Sequence, residues 1–174
     1  MEHSHEKLKA CMEYDAQGEA VLDLRRKRLS RLPDAVTELS ELGVLLLNEN
    51  NLTELPKSIC KLKNLRSLNL DHNRVTHLPD DIGDLKELRE LSVSNNQLVC
   101  LPSSILRLNW LSKLNVSGNR LSEFPAVNVG QLVNLRNLRV SGNPLNVDAL
   151  RTILKLRWQG RRGMDLDIRG KNLH

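Results

Sequence analysis

The amino-acid sequence predicts an α/β solenoid, in which successive coils of the chain stack a parallel β-sheet against short helices or turns. A motif of about 23 residues recurs over most of the 174-residue chain, and a period of this length is the signature of stacked coils. Apolar residues make up 40% of the chain, yet only four residues are aromatic. The core must therefore be built mainly from leucine, which packs better in a regular stack than in an irregular globule.

The repeated unit is clearest in "LRSLNLDHNRVTHLPDDIGDLKE", residues 65–87. Its positions 4 and 6 are apolar and two residues apart, so they point to one side of a short strand while position 5 points to the other. The proline at position 15, as at Pro56, suits the first turn of a short helix, and Ile59 and Leu62 then point inward. One side of the predicted sheet therefore packs on leucines, and the other side is open.

Copies of the unit begin near residues 19, 42, 65, 88, 111 and 135; the first is weaker and the last diverges after Leu145. Position 9 is asparagine in five of them: Asn50, Asn73, Asn96, Asn119 and Asn143. An asparagine amide both donates and accepts hydrogen bonds. Its constant phase with the leucines favours a structural role over five unrelated surface turns. The first copy has Lys27 at this position, which can only donate.

The pattern LxxLxLxxNxLxxLPxxIxxL in these copies resembles the leucine-rich repeat family, and more narrowly its intracellular 23-residue class of Ras-group and scribble-like repeats. The resemblance spans roughly residues 19–145. It implies a curved right-handed coil with a parallel β-sheet on the concave face and short helices or turns on the convex face. It also implies that each position-9 asparagine lies inside the turn after the strand and bonds to the backbone of neighbouring coils.

The two ends are predicted to cap the repeats. Residues 1–18 form an N-terminal helical cap, with a short amphipathic helix over 3–16 whose apolar face carries Leu8, Cys11 and Met12. Residues 146–174 form a C-terminal helical cap. Its helix begins at Asn146 or Asp148, and its inward face carries Leu150, Ile153, Leu154 and Trp158.

The C-terminal "LDIRGKNL", 166–173, matches "LDLRRKRL", 22–29, with Lys171 again in place of the asparagine. This match predicts one more strand at the end of the sheet. The strand either closes the solenoid, which is the favoured interpretation, or leaves the chain within a longer array.

Composition and motifs exclude several classes of function. The sequence has no apolar run near 18 residues and no apolar N-terminal stretch of the signal-peptide kind. Its three cysteines are odd in number and far apart, which favours the cytoplasm over a disulfide framework. No phosphate loop, zinc-spaced cysteine pair or acid/base pair is found, so we predict no catalysis and no cofactor or metal. His72 and His77 are interpreted as surface residues, and Cys60 and Cys100 as packing or exposed residues.

The open side of the sheet is the predicted site of partner binding, because positions 3, 5, 7 and 8 of each copy line it. The predicted partner-binding residues are Val44, Leu46, Asn48, Glu49, Asn69, Asp71, Glu90, Ser92, Lys113, Asn115 and Arg139. Val21, Val44 and Leu46 form an apolar patch that is either a contact site or a surface covered by the N-terminal helix. Charge is predicted to change along this side, from acidic residues in the middle to Lys113 and Arg139.

The sequence therefore favours a non-catalytic protein-interaction module that holds a protein on its concave sheet. The resemblance makes small GTPases, phosphatases and polarity or signalling complexes the candidate partners, without selecting among them or indicating an oligomeric state. Two alternatives remain open. The basic residues at the two ends, around 25–31 and 151–171, could bind nucleic acid or acidic lipid, although the repeats lack aromatic residues for base stacking. The chain could also recognise substrates for an enzyme complex such as a ubiquitin ligase.

Overall fold

The computed structural model describes residues 6, 8–126, 131–158 and 164–168. Within these ranges the chain forms one curved, open sheet whose eight strands follow the order of the chain. The strands are β1 Glu13–Tyr14, β2 Ala20–Asp23, β3 Leu42–Leu46, β4 Ser67–Asn69, β5 Glu90–Ser92, β6 Lys113–Asn115, β7 Asn137–Arg139 and β8 Asp165–Asp167. Strands β2 to β8 are parallel, and β1 pairs antiparallel with β2. The predicted α/β solenoid is confirmed.

Short helices lie between the strands. Among the described residues four of them are 3₁₀ helices, at Asp34–Glu38, Lys57–Lys61, Ile82–Asp84 and Ser103–Arg107, and α1 spans Val147–Trp158. Pro33, Pro56 and Pro102 stand at the N-caps of three of these helices, one residue earlier than predicted. Each adopts an extended conformation, and its carbonyl accepts the first helical hydrogen bond. Proline suits this position because its ring fixes φ without removing a helical donor.

The core is a column of leucines on one side of the sheet. The position-4 residues of the coils are at most 1% exposed: Leu22, Leu45, Leu68, Leu91, Leu114 and Leu138. Their neighbours at positions 3 and 5 are half-buried or exposed. The predicted assignment of inner and outer side chains is therefore confirmed along the sheet.

Asparagine amides join each coil to the one before it. In the third coil, Asn73 Oδ1 accepts a hydrogen bond from the Leu52 N–H at 3.0 Å, and its Nδ2 donates to the carbonyls of Leu47 and Leu70. The same pattern is repeated at Asn50, Asn96, Asn119 and Asn143. We call this series the asparagine ladder; it confirms the role predicted for position 9.

Consecutive rungs of the ladder share acceptors. The Leu47 carbonyl accepts from both Asn50 and Asn73, at 2.9 and 3.0 Å. The Leu70 carbonyl likewise accepts from Asn73 and Asn96, both at 2.9 Å. The Leu52 N–H, by contrast, has the Asn73 oxygen as its acceptor within the described residues. Loss of one amide would therefore orphan a buried donor more severely than it would orphan the carbonyls.

The residue before position 9 of each coil, which is Lys27 in the first coil and a ladder asparagine in the next five, has a left-handed backbone. Its φ lies between 52° and 70° at Arg26, Glu49, His72, Asn95, Gly118 and Gly142. For residues other than glycine this conformation costs of order 1–3 kcal/mol, and it persists only where the surrounding structure stabilises it. The ladder supplies that constraint, because it bonds the backbone on both sides of the turn.

The first coil departs from the regular register. Ala20 pairs with Leu42 and Val21 with Val44, which leaves Gly43 as an extra residue. Ala20, rather than Glu19, thereby fills the buried first position of this coil. A Cβ on Gly43 would lie 3.3 Å from the Glu19 carboxylate.

Because Gly43 has no side chain, there is space beside it for an ion pair between Glu19 and Arg66. The Glu19 carboxylate passes this gap and forms an ion pair with Arg66, two coils away. The bulge therefore both completes the core of the first coil and links it to the third.

The N-terminal segment is a hairpin where a helix over 3–16 was predicted. Residues 8–10 are helical, but Glu13–Tyr14 form β1 and pair with β2. The Asp15 carboxylate accepts hydrogen bonds from the N–H groups of Gln17 and Glu19, and Gly18 supplies the positive φ of the turn. This turn chemistry outweighs the apolar spacing that favoured a helix.

The C-terminal helix is capped by Asn146, whose Oδ1 accepts from the Ala149 N–H at 2.8 Å. Its buried stripe is Ala149, Ile153 and Leu156, while the predicted core residue Leu154 is 38% exposed. The stripe follows a spacing of four and three residues, and Leu154 lies to one side of it. The side chain of Trp158 lies outside the described residues.

The predicted additional strand is present as β8, with Leu166 opposite Leu138 in the register of a further coil. Lys171 and Leu173, the other residues of the sequence match, lie outside the described residues. The match between 166–173 and 22–29 therefore identified the strand and its register.

Replacing a ladder asparagine should destabilise the fold. We expect Asn73→Leu to lower the free energy of unfolding by roughly 1–3 kcal/mol, because it leaves the buried Leu52 N–H without an acceptor. Urea unfolding followed by circular dichroism measures this change. Arg74→Leu introduces the same side chain at the exposed neighbouring position and should change little; equal effects of the two variants would contradict the ladder.

The inner and outer sides of β4 should respond differently to truncation. Leu68→Ala should cost roughly 2–5 kcal/mol, because it opens a cavity in the leucine column. Ser67→Ala changes a half-buried hydroxyl on the open side and should stay within roughly 0.5 kcal/mol of the parent. Thermal or urea unfolding of both variants checks the assignment, which similar losses at the two positions would disprove.

Gly83 permits close packing between adjacent 3₁₀ helices. A Cβ at this position would lie 2.1 Å from the Ser104 carbonyl oxygen, which is a backbone atom that cannot move aside alone. Gly83→Ala should therefore cost roughly 1–3 kcal/mol through overpacking. Asp81→Ala, at an exposed position of the same turn, is the control; an unfolding midpoint for Gly83→Ala equal to that of this control would refute the tight contact.

Candidate functional site

The open side of the sheet presents two rows of side chains that run along the solenoid. Strand register places equivalent positions of consecutive coils beside each other. One row is Val21, Val44, Ser67, Glu90, Lys113, Asn137 and Asp165, and the other is Asp23, Leu46, Asn69, Ser92, Asn115, Arg139 and Asp167. Eight of the eleven predicted partner-binding residues lie in these rows, and Asn48, Glu49 and Asp71 follow them at the ends of their strands.

The apolar patch lies at the N-terminal end of this surface. Val21 and Val44 are paired neighbours, Leu46 lies on the next row between Asp23 and Asn69, and all three apolar side chains are half-buried. β1 lies beside the patch, in the same sheet as β2. The described part of the N-terminal segment therefore extends the sheet and leaves the patch partly exposed.

Several charges on this side are already paired. Arg26 donates two hydrogen bonds to the Glu49 carboxylate, both at 2.8 Å, and these hold the pKa of Glu49 below its usual value. Lys113 Nζ lies 2.6 Å from Glu90 Oε1. The predicted change from acidic to basic residues is thus partly cancelled at the boundary, because Glu90 and Lys113 neutralise each other.

A third ion pair of the open side, between Arg25 and Asp23, lies at the edge of the apolar patch. The Arg25 side chain bonds to the Asp23 carboxylate, with Nη2 and Oδ2 2.5 Å apart. This hydrogen bond is the largest cause of an Asp23 pKa of about 2. Asp23 therefore stays ionised over the physiological pH range and keeps the margin of the patch polar.

The Asp71 carboxylate is engaged in hydrogen bonds that organise the middle of the open side. Its Oδ1 accepts hydrogen bonds from Ser92 Oγ at 2.7 Å and from the Ser94 N–H at 2.6 Å, both in the next coil. Asn69 Oδ1 in turn accepts from the Asp71 N–H at 2.9 Å. These bonds fix the middle of the open side in one arrangement.

The C-terminal half contains a shallow, open concavity of about 400 Å³. It brings together Glu90, Ser92, Lys113, Asn115 and Arg139, all predicted as partner-binding residues. The Arg139 side chain is exposed and has no ion pair among the described residues. It is therefore a cation of this concavity that remains available to a partner.

Three further residues of this half lie on the open side but are not among the predicted partner-binding residues. Asn137 lines the concavity and donates to the Asp165 carboxylate at 2.9 Å. Asp165 and Asp167 belong to β8 and return the open side to negative charge beyond Arg139. The match of Leu166 to position 4 would have placed both aspartates at positions 3 and 5, so the signal was present in the sequence.

The residues with reactive side chains are dispersed. His72 and His77 are both exposed, as predicted, and Cys11 and Cys100 are exposed free thiols. Cys60 is buried, and this burial raises the pKa of its thiol to about 11. At neutral pH this cysteine is a packed thiol with little thiolate, the form needed for attack.

The described part of the chain contains no group of three or more His, Cys, Asp or Glu side chains suited to a metal ion. Likewise, none of the helices in the described ranges has the length and apolar character needed to span a membrane.

The basic clusters at the two ends are unequal. At the N-terminal end, Arg25 and Arg26 are engaged by Asp23 and Glu49, while Lys27, Arg28 and Arg31 are exposed. Much of the C-terminal cluster lies outside the described residues. The N-terminal cluster therefore offers less free charge than its sequence indicates.

Comparison with solved structures supports the fold. A leucine-rich repeat protein of Leptospira interrogans is 31% identical with a TM-score of 0.60, over 81% of this chain and 41% of that one. An internalin of Listeria monocytogenes is 22% identical with a TM-score of 0.67, over 80% and 39%. The chain thus spans less than half the length of these two proteins. A chain of the BIR3–SERK2 complex of Arabidopsis thaliana is 27% identical with a TM-score of 0.61, over 76% and 73%.

Family models agree with the repeats and their asparagines. A comparison with curated protein sequences returns no match. A model described as a leucine-rich repeat region matches residues 59–158, and a second, described as a leucine rich repeat, matches residues 20–75. The first match covers more than half of the sequence, and the asparagine ladder runs through both. The chain belongs to the leucine-rich repeat family.

Proposed function

We propose that this protein is a non-catalytic interaction module that binds a folded protein partner on the open side of its sheet. Leucine-rich repeat domains typically mediate protein–protein interaction, and the family is generally non-catalytic. The observation that carries the proposal is the pair of rows on the open side. Their side chains are partly exposed in every coil, whereas the position-4 leucines between them are buried in the core.

The shape of the surface favours a protein over a small molecule. The concavity at Glu90, Lys113 and Arg139 is shallow and open, while sites for small molecules bury most of their ligand. Two regions lie on the same side, the apolar patch at Val44 and Leu46 and the polar concavity beyond it. Protein interfaces usually combine an apolar part with polar surroundings, and the open side offers both.

One structural neighbour is part of a protein complex. The Arabidopsis neighbour was solved as a complex of two proteins, BIR3 and SERK2. The resemblance to intracellular repeats makes small GTPases, phosphatases and polarity or signalling complexes the candidate partners of the present protein. We also propose a cytoplasmic location, a cap over 1–18, repeats over 19–145 and a second cap over 146–174.

The apolar patch should be needed for binding and dispensable for folding. We expect Leu46→Glu to fold normally, because Leu46 is half-buried on the open side, and to weaken partner binding about tenfold or more by placing an unpaired carboxylate against an apolar contact. The partner is first identified by photo-crosslinking from position 69, with position 104 on the opposite side as the reference, and its affinity is then measured by calorimetry.

Leu154→Glu is the matched control, because it makes the same change at an exposed position of α1. It should fold and bind like the parent. A folded Leu46→Glu variant with parental affinity would exclude the apolar patch from the interface. An unfolded one would show that Leu46 supports the core, and crosslinking from position 115 would then test the concavity instead.

A further inference from the structure

Among the described residues of the repeats, the most exposed large apolar side chain lies outside the open side of the sheet. Trp110 is 56% exposed and immediately precedes Leu111 at the entrance to β6. At the entrances to β4 and β7 the equivalent residues are Asn64 and Asn134. Their amides donate to the preceding coil, to the carbonyls of Ser40 and Asn109 at 2.8 and 2.7 Å. Trp110 therefore occupies a position at which two other coils carry an amide that tethers neighbouring coils, and it presents an aromatic ring to solvent.

An exposed valine and several cations accompany this tryptophan. Val133, 51% exposed, precedes Asn134 on the next coil. Position 2 is arginine, Arg89 and Arg136, in the two coils that flank the coil of Ser112. Backbone hydrogen bonds place the three residues side by side: the N–H of Ser112 donates to the Arg89 carbonyl, and the N–H of Arg136 donates to the Ser112 carbonyl, each at 2.8 Å. We call this flank the strand-entry edge; its residues are Arg66, Lys86, Arg89, Trp110, Val133 and Arg136.

Most of the positive charge at the strand-entry edge is not neutralised. Arg66 is paired with Glu19. Lys86 Nζ donates to the Gly83 carbonyl at 2.8 Å, which leaves its charge uncompensated. Arg89 and Arg136 are exposed and have no ion pair within the described ranges. These three cations outnumber Glu87, the carboxylate at the position equivalent to Trp110 in the preceding coil.

From this arrangement we propose that the strand-entry edge is a second binding surface, which takes an acidic, extended protein segment. Its apolar side chain packs on Trp110 and Val133, and its carboxylates bond to Arg89 and Arg136. Tryptophan and arginine are the residues most often found to dominate binding energy. Bidentate contacts between guanidinium and carboxylate groups supply direction as well as attraction.

The spacing of the edge defines the segment further. Arg89 and Arg136 belong to coils two apart, so their backbones are separated by about 10 Å, or two strand spacings. An extended peptide covers this distance in about three residues. The matching segment therefore carries two acidic residues about three positions apart with an apolar residue between them. An RNA strand fits less well, because the edge offers a single aromatic ring and an aliphatic neighbour rather than successive stacking platforms.

The test is fluorescence anisotropy with a labelled decapeptide in which glutamates recur every third residue around a central leucine. The parent protein should bind it, and the same peptide with glutamine in place of glutamate should bind at least about tenfold more weakly. Trp110→Asn, which introduces the residue that two other coils carry at this position, and Arg89→Glu should each reduce affinity about tenfold or more. Circular dichroism verifies that the variants fold.

The controls are Tyr14→Asn, at another exposed aromatic residue, and Arg74→Glu, at an exposed arginine on the opposite flank; both should bind within about twofold of the parent. Leu46→Glu should also retain peptide binding, which separates this proposal from the function proposed for the open side. Absence of peptide binding up to about 1 mM, or equal losses in test and control variants, would overturn the proposal. So would tighter, Trp110-dependent binding of a uridine decanucleotide or of vesicles that contain phosphatidylserine.

Discussion

The need to satisfy buried backbone groups at the turn after each strand governs this structure. Each coil ends its strand in a tight turn, where the backbone leaves the sheet before its polar groups have all found partners. One asparagine amide answers this need because it donates to carbonyls of two coils and accepts from an N–H of the preceding one. Since neighbouring rungs share the Leu47 and Leu70 carbonyls, the turn conformation of one coil is coupled to that of the next.

The regularity of the open side follows from the ladder. The ladder holds the left-handed residue before each rung and thereby sets the register in which the strands pair. Positions 3 and 5 consequently form continuous rows, although their side chains contribute little to the core. Folding and recognition thus use different residues of the same short strand. Leu68 is buried in the core, and Ser67 and Asn69 beside it are accessible for contact with a partner.

The charge that the open side presents to a partner depends on whether its ion pairs stay intact. The pairs Arg26–Glu49 and Lys113–Glu90 are exposed, and exposed pairs usually contribute less than about 1 kcal/mol. A partner can therefore separate them at small cost and take either member for itself. Arg139 needs no such exchange, whereas Asp71 is committed to Ser92 and Ser94 in the next coil. The surface thus combines fixed and exchangeable polar groups, which a list of its charges would not distinguish.

The sequence by itself determined which residues of the repeats lie inside, because the phase of leucine and asparagine in a fixed period leaves one way to stack the coils. It was also sufficient to place Leu166 in a further strand. Tertiary structure alone decided the hairpin at Glu13–Tyr14, the bulge at Gly43 and the pairing of Glu19 with Arg66. The exposure of Trp110, which the sequence did not single out, also emerged only there. The physical reason is that a repeat specifies average positions, whereas these features depend on turn hydrogen bonds, on one missing side chain and on contacts between particular neighbours that the period does not encode.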